Sequence, residues 1–114
     1  MSLANLRSLM VERAPKISPE GTLELLKEDP DVKFIDVRTR HEFELMNIPH
    51  SINIPIEDFI GIEERITDKN TLIILYSQNG GRSAKAGSIL LAKGYKRVKD
   101  MGSIENWPYN VNNG

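Results

Sequence analysis

The sequence contains no cysteine among its 114 residues. This absence excludes disulfides, thiolate metal sites, thiol redox pairs and cysteine nucleophiles. Long hydrophobic runs are also lacking: the longest, Leu72 to Tyr76, is far shorter than the roughly 20 residues that span a bilayer. The sequence also lacks an excess of either charge, because 15 Lys and Arg are balanced by 16 Asp and Glu, for a net charge of -1. We therefore expect no membrane and no nucleic-acid partner.

Targeting signals and metal-ligand clusters are equally scarce. The first thirteen residues carry Arg7, Glu12 and Arg13 and lack the apolar stretch of a secretory signal, which predicts a cytoplasmic protein. The two histidines, His41 and His50, lie nine residues apart, a spacing that is not typical of metal ligands. Surface or hydrogen-bonding roles are the better interpretation for them, and we expect no metal and no other cofactor.

The pattern of apolar residues predicts one α/β domain. Residues 1–16 form an N-terminal helical extension in this prediction, because Leu3, Leu6, Leu9 and Met10 have helical spacing. The domain proper spans 17–109, and a polar tail, expected to fray, spans 110–114. Short strands alternate with helices in the domain, which favours a mainly parallel sheet. The strands are predicted at Ile17, 32–37, 52–54, 71–76 and around Val98, and the longer helices at 19–29, 56–66 and 82–93.

A short loop follows the strongest strand signal of the chain. Ser77, Gln78 and Asn79 lead into Gly80 and Gly81 before the next helix begins. Glycines at such a place let backbone N–H groups converge, and the helix N-terminus adds its unpaired amides and its dipole. The loop is therefore a candidate anion site. On spacing alone, plain turn chemistry is the better explanation of these glycines, and no Walker or dinucleotide-binding motif is present.

Four motifs occur in the order found in one known family. They are FIDVRTRHEF (34–43), NIPHSINIP (47–55), LYSQNGGRSAKA (75–86) and MGSIENW (101–107). With them the chain resembles single-domain rhodaneses, the thiosulfate sulfurtransferases, over residues 17 to 107. The resemblance implies a rhodanese-like fold, with a central, mainly parallel five-stranded sheet flanked by helices on both faces. Its structural motif residues here are Asp36, Arg38, Glu42, Gly102 and Trp107.

The resemblance also assigns the loop. Gly80, Arg82 and Ser83 match the family's active-site loop, C-x-x-G-x-R-S, and Ser77 falls on the position of the catalytic cysteine. The anion-binding loop would comprise Gln78, Asn79, Gly80, Gly81, Arg82 and Ser83. From Ser77 to Arg82 the loop has six residues, as in sulfurtransferases, whereas phosphatases of this fold have one more.

Serine at position 77 argues against sulfur transfer. Relatives carry the sulfur as a persulfide on a thiolate, and a hydroxyl cannot form that bond. A serine nucleophile would need an adjacent general base, but the loop offers only Gln78 and Asn79. A second departure is the segment Met46 to Ser51, which lacks both glycines of the family's G-H-I-P-G-A. It mostly shapes a turn, so we expect a change of local geometry there.

Three hypotheses remain open. The first is a rhodanese-like domain that is inactive in sulfur transfer and acts as an anion-binding, partner-binding or regulatory module. The second is a thiosulfate sulfurtransferase whose cysteine was replaced by Ser77, by engineering or by recent loss. The third is a partner-binding scaffold with a loop that no longer binds anything. Expected partners are a small thiosulfate-like anion or an acidic protein, and the sequence does not predict the oligomeric state. A basic run could guide either partner to the chain, but a solvated face is the better interpretation of it. The run consists of Lys93, Lys96, Arg97 and Lys99.

Overall fold

The computed structural model describes residues 11–114. Of the helical extension predicted over 1–16, residues 1–10 lie outside the described residues, and residues 11–16 are not helical. In chain order the strands are β1 (Lys33–Asp36), β2 (Met46–Asn47), β3 (Ile52–Asn53), β4 (Leu72–Ser77), β5 (Arg97–Ser103) and β6 (Asn112–Asn113). The α-helices are α1 (Pro19–Glu28), α2 (Arg40–Leu45), α3 (Ile62–Arg65) and α4 (Gly81–Ala92), and 3-10 helices span Ile56–Gly61 and Ile104–Asn106. Over residues 11–114, no helix is both long and apolar enough to cross a membrane.

The main sheet is parallel, in the order β3-β1-β4-β5. The predicted fifth strand near Ile17 is reduced to an isolated parallel bridge between Lys16 and Asp100. Pro15 has no N–H to continue the pairing, and Ser18 already caps α1, so the segment has no room to extend. The α/β class with a central parallel sheet is confirmed, with four strands and this bridge in place of five strands.

Both faces of the sheet are covered. One buried cluster packs Ile35, Ile73 and Leu75 against residues of α3 and α4, among them Ile62 and Leu90. A second cluster lies on the opposite face, where Phe34, Ile74 and Tyr76 pack with Leu25 and Leu26 of α1, Ile104 and Trp107. All six residues of β4 are buried, as expected of a central strand between two helical layers. Helices therefore flank the sheet on both faces, as predicted.

Local capping explains where two helices begin. The Ser18 hydroxyl accepts the N–H of Gly21 at 2.9 Å, and Pro19 is the first residue of α1, as the sequence predicts. At α2, the Thr39 hydroxyl accepts the N–H of Glu42, while the Glu42 carboxylate accepts the N–H of Thr39. This reciprocal capping box fixes the start of a six-residue helix that is too short to be stable alone.

Two predicted segments differ in the structure. The single helix expected over 56–66 is a 3-10 helix followed by α3. Phe59 and Ile62, three residues apart, are buried, while Ile60 is 87% exposed. The polar tail does not simply fray: β6 pairs antiparallel with β2, and Gly114 donates its N–H to the Leu45 carbonyl at 2.9 Å.

Candidate functional site

The loop from Ser77 to Arg82 lies at the carboxyl end of the central strand. β4 ends at Ser77, which is in register with Ser103 of β5, and α4 begins at Gly81. Ligands of open parallel sheets bind at this edge, where strand ends and helix N-termini meet. The structure thus brings the predicted loop residues together at the one edge where a site is expected.

The Ser77 hydroxyl occupies the centre of the loop. The residue has no exposed surface, and its Oγ accepts the N–H groups of Gly80 and Ser83, both at 3.1 Å. Within residues 11–114, no carboxylate, imidazole or carbonyl accepts the hydroxyl proton of Ser77. Oγ is therefore surrounded by hydrogen-bond donors, which would stabilise a negative charge at this point.

Backbone geometry gives the loop its shape. Gly80 has a φ of +91°, a left-handed conformation that disfavours any residue with a Cβ. The Ser83 hydroxyl donates to the Gly80 carbonyl at 3.1 Å, and Asn79 Oδ1 accepts the N–H of Gly81 at 3.1 Å. Among the described residues, the N–H groups of Asn79 and Arg82 have no acceptor. These two amides remain available to a ligand at the positive end of the α4 dipole.

A buried ion pair supports the loop from below. The Arg38 guanidinium donates to both oxygens of Asp36, from Nε at 3.1 Å and Nη2 at 2.8 Å, and both side chains are almost fully buried. Arg38 Nη2 also donates to the Met46 carbonyl, and Nη1 donates to Gln78 Oε1 at 3.2 Å. The charge of Arg38 is therefore neutralised locally, and its remaining donors hold Gln78 in place.

Two residues that the sequence analysis did not select also contact the loop. Gln78 Nε2 donates to Glu105 Oε1 at 3.2 Å, and the Ser103 hydroxyl donates to the Gln78 carbonyl at 2.5 Å. Ser103 is the last residue of β5 and Glu105 lies in the 3-10 helix that follows it, both about 25 residues further along the chain. Nothing in local spacing indicates them, because parallel pairing of β5 with β4 is what brings them to the loop.

Arg82 is held by a second ion pair. Its Nη1 and Nη2 donate to the two oxygens of Glu42, at 2.7 Å and 2.9 Å. The pair is about a third exposed. The hydrogen bonds from Arg82 lower the pKa of Glu42 from its ordinary 4.5 to about 2, aided by the N–H of Thr39 and opposed by partial burial. Glu42 thus stays ionised at any ordinary pH.

The other predicted motif residues lie beside the loop. Gly102 has a φ of +88°, and its Cα lies 3.7 Å from where a Cβ on Gly80 would stand. Trp107 packs against Phe34 at a ring separation of 6.2 Å. His50, in the segment that departs from the family pattern, has a φ of +71°. Glycine adopts this left-handed conformation without strain, whereas histidine pays a steric cost there.

The basic run divides into separate environments. Lys93 donates to the Glu63 carboxylate at 3.0 Å, whereas Lys96, Arg97 and Lys99 line a cavity of about 530 Å³ together with Arg13. The loop residues are not part of that lining, so these cations are not brought to Ser77. In residues 11–114, no three metal-ligating side chains cluster together.

Comparison with known proteins decides the family. The family model described as "Rhodanese-like domain" matches residues 18–109. The chain belongs to this family. Among curated rhodanese-like relatives, the tRNA uridine(34) hydroxylase of Hamiltonella defensa subsp. Acyrthosiphon pisum (strain 5AT) is 32% identical over 80 residues, which are 66% of this chain and 22% of that protein. The chain therefore spans about a fifth of the length of the curated relatives it matches.

Solved structures show the same rhodanese-like fold. A structure described as "rhodanese with anions from E. coli" superposes with a TM-score of 0.66 at 28% identity, covering 72% of this chain and 98% of that one. The human single-domain sulfurtransferase TSTD1 gives a TM-score of 0.71 at 21% identity, over 82% and 95% of the two chains. The match covers nearly the whole of both structures, so this chain has their fold over almost their entire length.

Proposed function

We propose that this rhodanese-like domain does not transfer sulfur and instead acts as a binding or regulatory module whose loop, Ser77 to Ser83, receives a small oxyanion. The observation that carries the proposal is the environment of Ser77 Oγ. It accepts two backbone N–H groups, and no base among residues 11–114 accepts its proton. The loop keeps the donors of an anion site but lacks the sulfur that a persulfide requires.

The missing base disfavours serine chemistry as well. A hydroxyl becomes a nucleophile when a neighbouring His, Asp or Glu takes its proton. In the described residues, three carboxylates lie beside the loop and each is engaged: Asp36 by Arg38, Glu42 by Arg82, and Glu105 by the side chain of Gln78. Ser77 therefore serves to hold the loop in shape, through its bonds to Gly80 and Ser83.

Anion binding is supported by the donors that remain. The amides of Asn79 and Arg82 lie at the start of a twelve-residue helix, and neither has an acceptor within residues 11–114. Because Ser77 is fully buried, the anion would lie outside its hydroxyl and contact these outer amides. The E. coli relative described as "rhodanese with anions" makes small anions a sensible first ligand class. An acidic segment of a partner protein is the alternative ligand.

A second candidate function is favoured by the same geometry. With sulfur in place of Ser77 Oγ, the N–H groups of Gly80 and Ser83 would lower the thiol pKa, as needed for persulfide chemistry. A thiosulfate sulfurtransferase whose cysteine was replaced by serine is therefore the alternative. A serine codon at position 77 of the source gene would exclude an engineered replacement. The hydroxylase activity named for the curated relatives belongs to proteins about five times longer than the matching segment.

The test compares three purified chains after treatment with thiosulfate: the unmodified chain, Ser77→Cys, and Ser88→Cys as a matched control. Ser88 lies half-buried on α4, outside the loop. Intact mass is measured for a gain of one sulfur, and thiosulfate:cyanide turnover is assayed alongside. We expect a stable gain in Ser77→Cys only, and no turnover by the unmodified chain. Turnover by the unmodified chain above buffer would refute the proposal, and no gain in Ser77→Cys would exclude the second candidate.

Binding is measured by titrating the unmodified chain with thiosulfate and sulfate in a calorimeter, with Gly80→Ala as the loop variant. We expect saturable binding that Gly80→Ala weakens, because a Cβ disfavours the backbone conformation that directs the amides. If no anion binds, the loop is not an anion site, and the third hypothesis, a scaffold with a loop that no longer binds anything, takes its place.

A further inference from the structure

We infer that the basic cavity at the amino ends of β4 and β5 docks an acidic segment of a partner protein, one that carries an aliphatic side chain between its carboxylates. The cavity has a volume of about 530 Å³. Leu72 and Arg97, the first residues of β4 and β5, both line it, whereas the loop follows the last residue of β4. Because the six residues of β4 extend over about 20 Å, this surface is separate from the loop. The inference therefore goes beyond the anion-binding role proposed above and stands without it.

Four positive side chains converge on this cavity. Lys96, Arg97 and Lys99 come from the start of β5, and Arg13 comes from the segment before α1, far away along the chain. Among the lining residues that the structure describes, Glu12 is the single carboxylate, so these side chains carry a net charge of +3. The sequence favours a solvated face for this basic run. A solvated face would spread its charges, whereas the fold gathers three of them with Arg13 around one hollow.

Within residues 11–114, none of these four cations forms an ion pair. The basic residues that do form ion pairs are Lys16, Arg38, Arg40, Arg82 and Lys93. Like charges that cluster without counter-ions repel one another, so a negatively charged partner at this place gains from all four. Residues 1–10 do not supply the missing negative charge, because Arg7 is their only charged side chain. The charge complement therefore has to come from another molecule.

The backbone that carries these cations is held in place. β5 pairs with β4, with Arg97 opposite Leu72. Arg97 and Lys99 are two residues apart in a strand and therefore lie on the same face of the sheet. In the segment before α1, the Pro15 carbonyl accepts the N–H of Asp100 at 2.9 Å, which ties this segment to β5. The positive charges are thus positioned before a partner arrives, and this lowers the entropic cost of binding.

The rest of the lining is largely aliphatic. Leu25 of α1, Leu72 of β4 and Leu91 of α4 contribute to it. Leu25 and Leu91 are only half-buried, so each keeps apolar surface that a partner's side chain can cover. No aromatic ring is among the lining residues that the structure describes, and single-stranded nucleic acids are commonly held by stacking their bases on such rings. The lining thus favours an acidic peptide with an aliphatic anchor over a nucleic acid.

The test titrates the isotope-labelled whole chain with a synthetic acidic peptide and follows backbone amide chemical shifts by NMR. The peptide has about ten residues, roughly 30 Å when extended, with a central Leu flanked by Asp and Glu. Two comparison peptides carry either the amide of every acid or Ser in place of the Leu. We expect saturable shifts centred on the start of β5 and the segment before α1, with the loop unmoved. Each comparison peptide should bind at least about tenfold more weakly.

Arg97→Gln and Lys99→Gln each remove one charge from the cavity, and Lys33→Gln is the matched control. Lys33 is exposed at the same end of the sheet and does not line the cavity. It lies on β1, two strands from β5, or roughly 10 Å away, which is about the screening length at physiological salt. Because exposed ion pairs are individually weak, each lost charge should weaken the acidic peptide about threefold, and both together about tenfold. Lys33→Gln should change the affinity by less than about 1.5-fold.

Several results would overturn the inference. One is the absence of any shift at millimolar peptide, and another is a set of shifts that falls on the loop and leaves β5 unmoved. Equal affinity for the amide or Ser peptide would show that charge or the aliphatic lining plays no part. Tighter binding of a single-stranded RNA of about ten nucleotides would assign the cavity to nucleic acid. Self-association that Arg97→Gln abolishes, measured by sedimentation without peptide, would assign it to a second copy of this chain.

Thermal unfolding of each variant, compared with the unmodified chain, identifies any loss of affinity that comes from a damaged fold. None of these results bears on anion binding at the loop, because that role is tested by a separate titration with thiosulfate and sulfate. Failure of the docking surface and failure of the proposed function are therefore distinguishable.

Discussion

The clearest test of the loop geometry is Ser77→Ala. The substitution removes the hydroxyl oxygen that accepts the N–H groups of Gly80 and Ser83, both at 3.1 Å. It changes nothing else in the loop, because alanine fits the same space and the same strand conformation. The predicted effect is therefore the cost of leaving two amides without an acceptor.

The magnitude follows from the burial of each amide. A buried donor without a partner costs about 1–3 kcal/mol, and the N–H of Ser83 is buried. The N–H of Gly80 is only partly buried, so water can replace the lost acceptor and the cost there is about 0.5 kcal/mol. Part of this cost is offset, because the alanine variant no longer buries a polar hydroxyl group. We expect the free energy of unfolding to fall by about 2 kcal/mol.

Urea unfolding measures this loss, with far-UV circular dichroism as the probe and Ser88→Ala on α4 as the control. A chain of this size loses about 4–8 °C in Tm for each kcal/mol, so thermal unfolding should shift by roughly 8–16 °C. Ser88→Ala should be neutral or slightly stabilising, because alanine favours helix. A loss below about 0.5 kcal/mol in Ser77→Ala would refute the hydrogen-bonded arrangement of the loop.

Three further predictions concern charge and backbone conformation. The ionised Glu42 contributes stability at pH values above its ordinary pKa, and this stability is lost as the pH falls from about 4.5 towards 2. Between pH 5 and pH 2.5, urea unfolding should show that the unmodified chain loses about 1–2 kcal/mol more than Glu42→Gln, a figure reduced for solvent screening of the partly exposed pair with Arg82. Equal losses would contradict the ion pair. His50→Gly should raise the free energy of unfolding by about 0.5–1 kcal/mol, because glycine adopts the observed φ of +71° without strain; His50→Ala, measured in the same way, should bring no gain. Gly80→Ala should lower the free energy of unfolding by about 1–2 kcal/mol through backbone strain alone, because the nearest atom to the added Cβ lies 3.7 Å away. Gly61→Ala is the control, because Gly61 has a negative φ and open space around it. Equal effects of the two substitutions would contradict the left-handed turn at Gly80.

Local chemistry explains why much of the fold could be predicted from the sequence. The apolar run from Leu72 to Tyr76 predicts a strand buried on both faces, and the structure buries every residue of it. Ser18 and Pro19 determine the start of α1 through the hydroxyl cap and the missing N–H of proline. The turn at Gly80 follows from its freedom at positive φ. Each of these features depends on residues within one or two turns of each other.

The wrong predictions have a different origin. Residues 56–66 have a spacing that fits a helix of either kind, because residues three apart share a face in both, and the structure has a 3-10 helix followed by α3. The tail was predicted to fray because it is polar, but the exposed backbone of Met46 and Asn47 offers it a strand to pair with. At the tail the deciding contact comes from another element, which no window of sequence contains.

The charges around the loop show most clearly what a sequence motif cannot predict. Arg82 and Glu42 are 40 residues apart, as are Gln78 and Arg38, and Glu105 reaches Gln78 only because β5 lies beside β4. A motif can place an arginine in the loop, but it cannot say whether the charge of that arginine is available to a ligand. That depends on α2, because the Glu42 carboxylate that completes the capping box of this helix also binds Arg82.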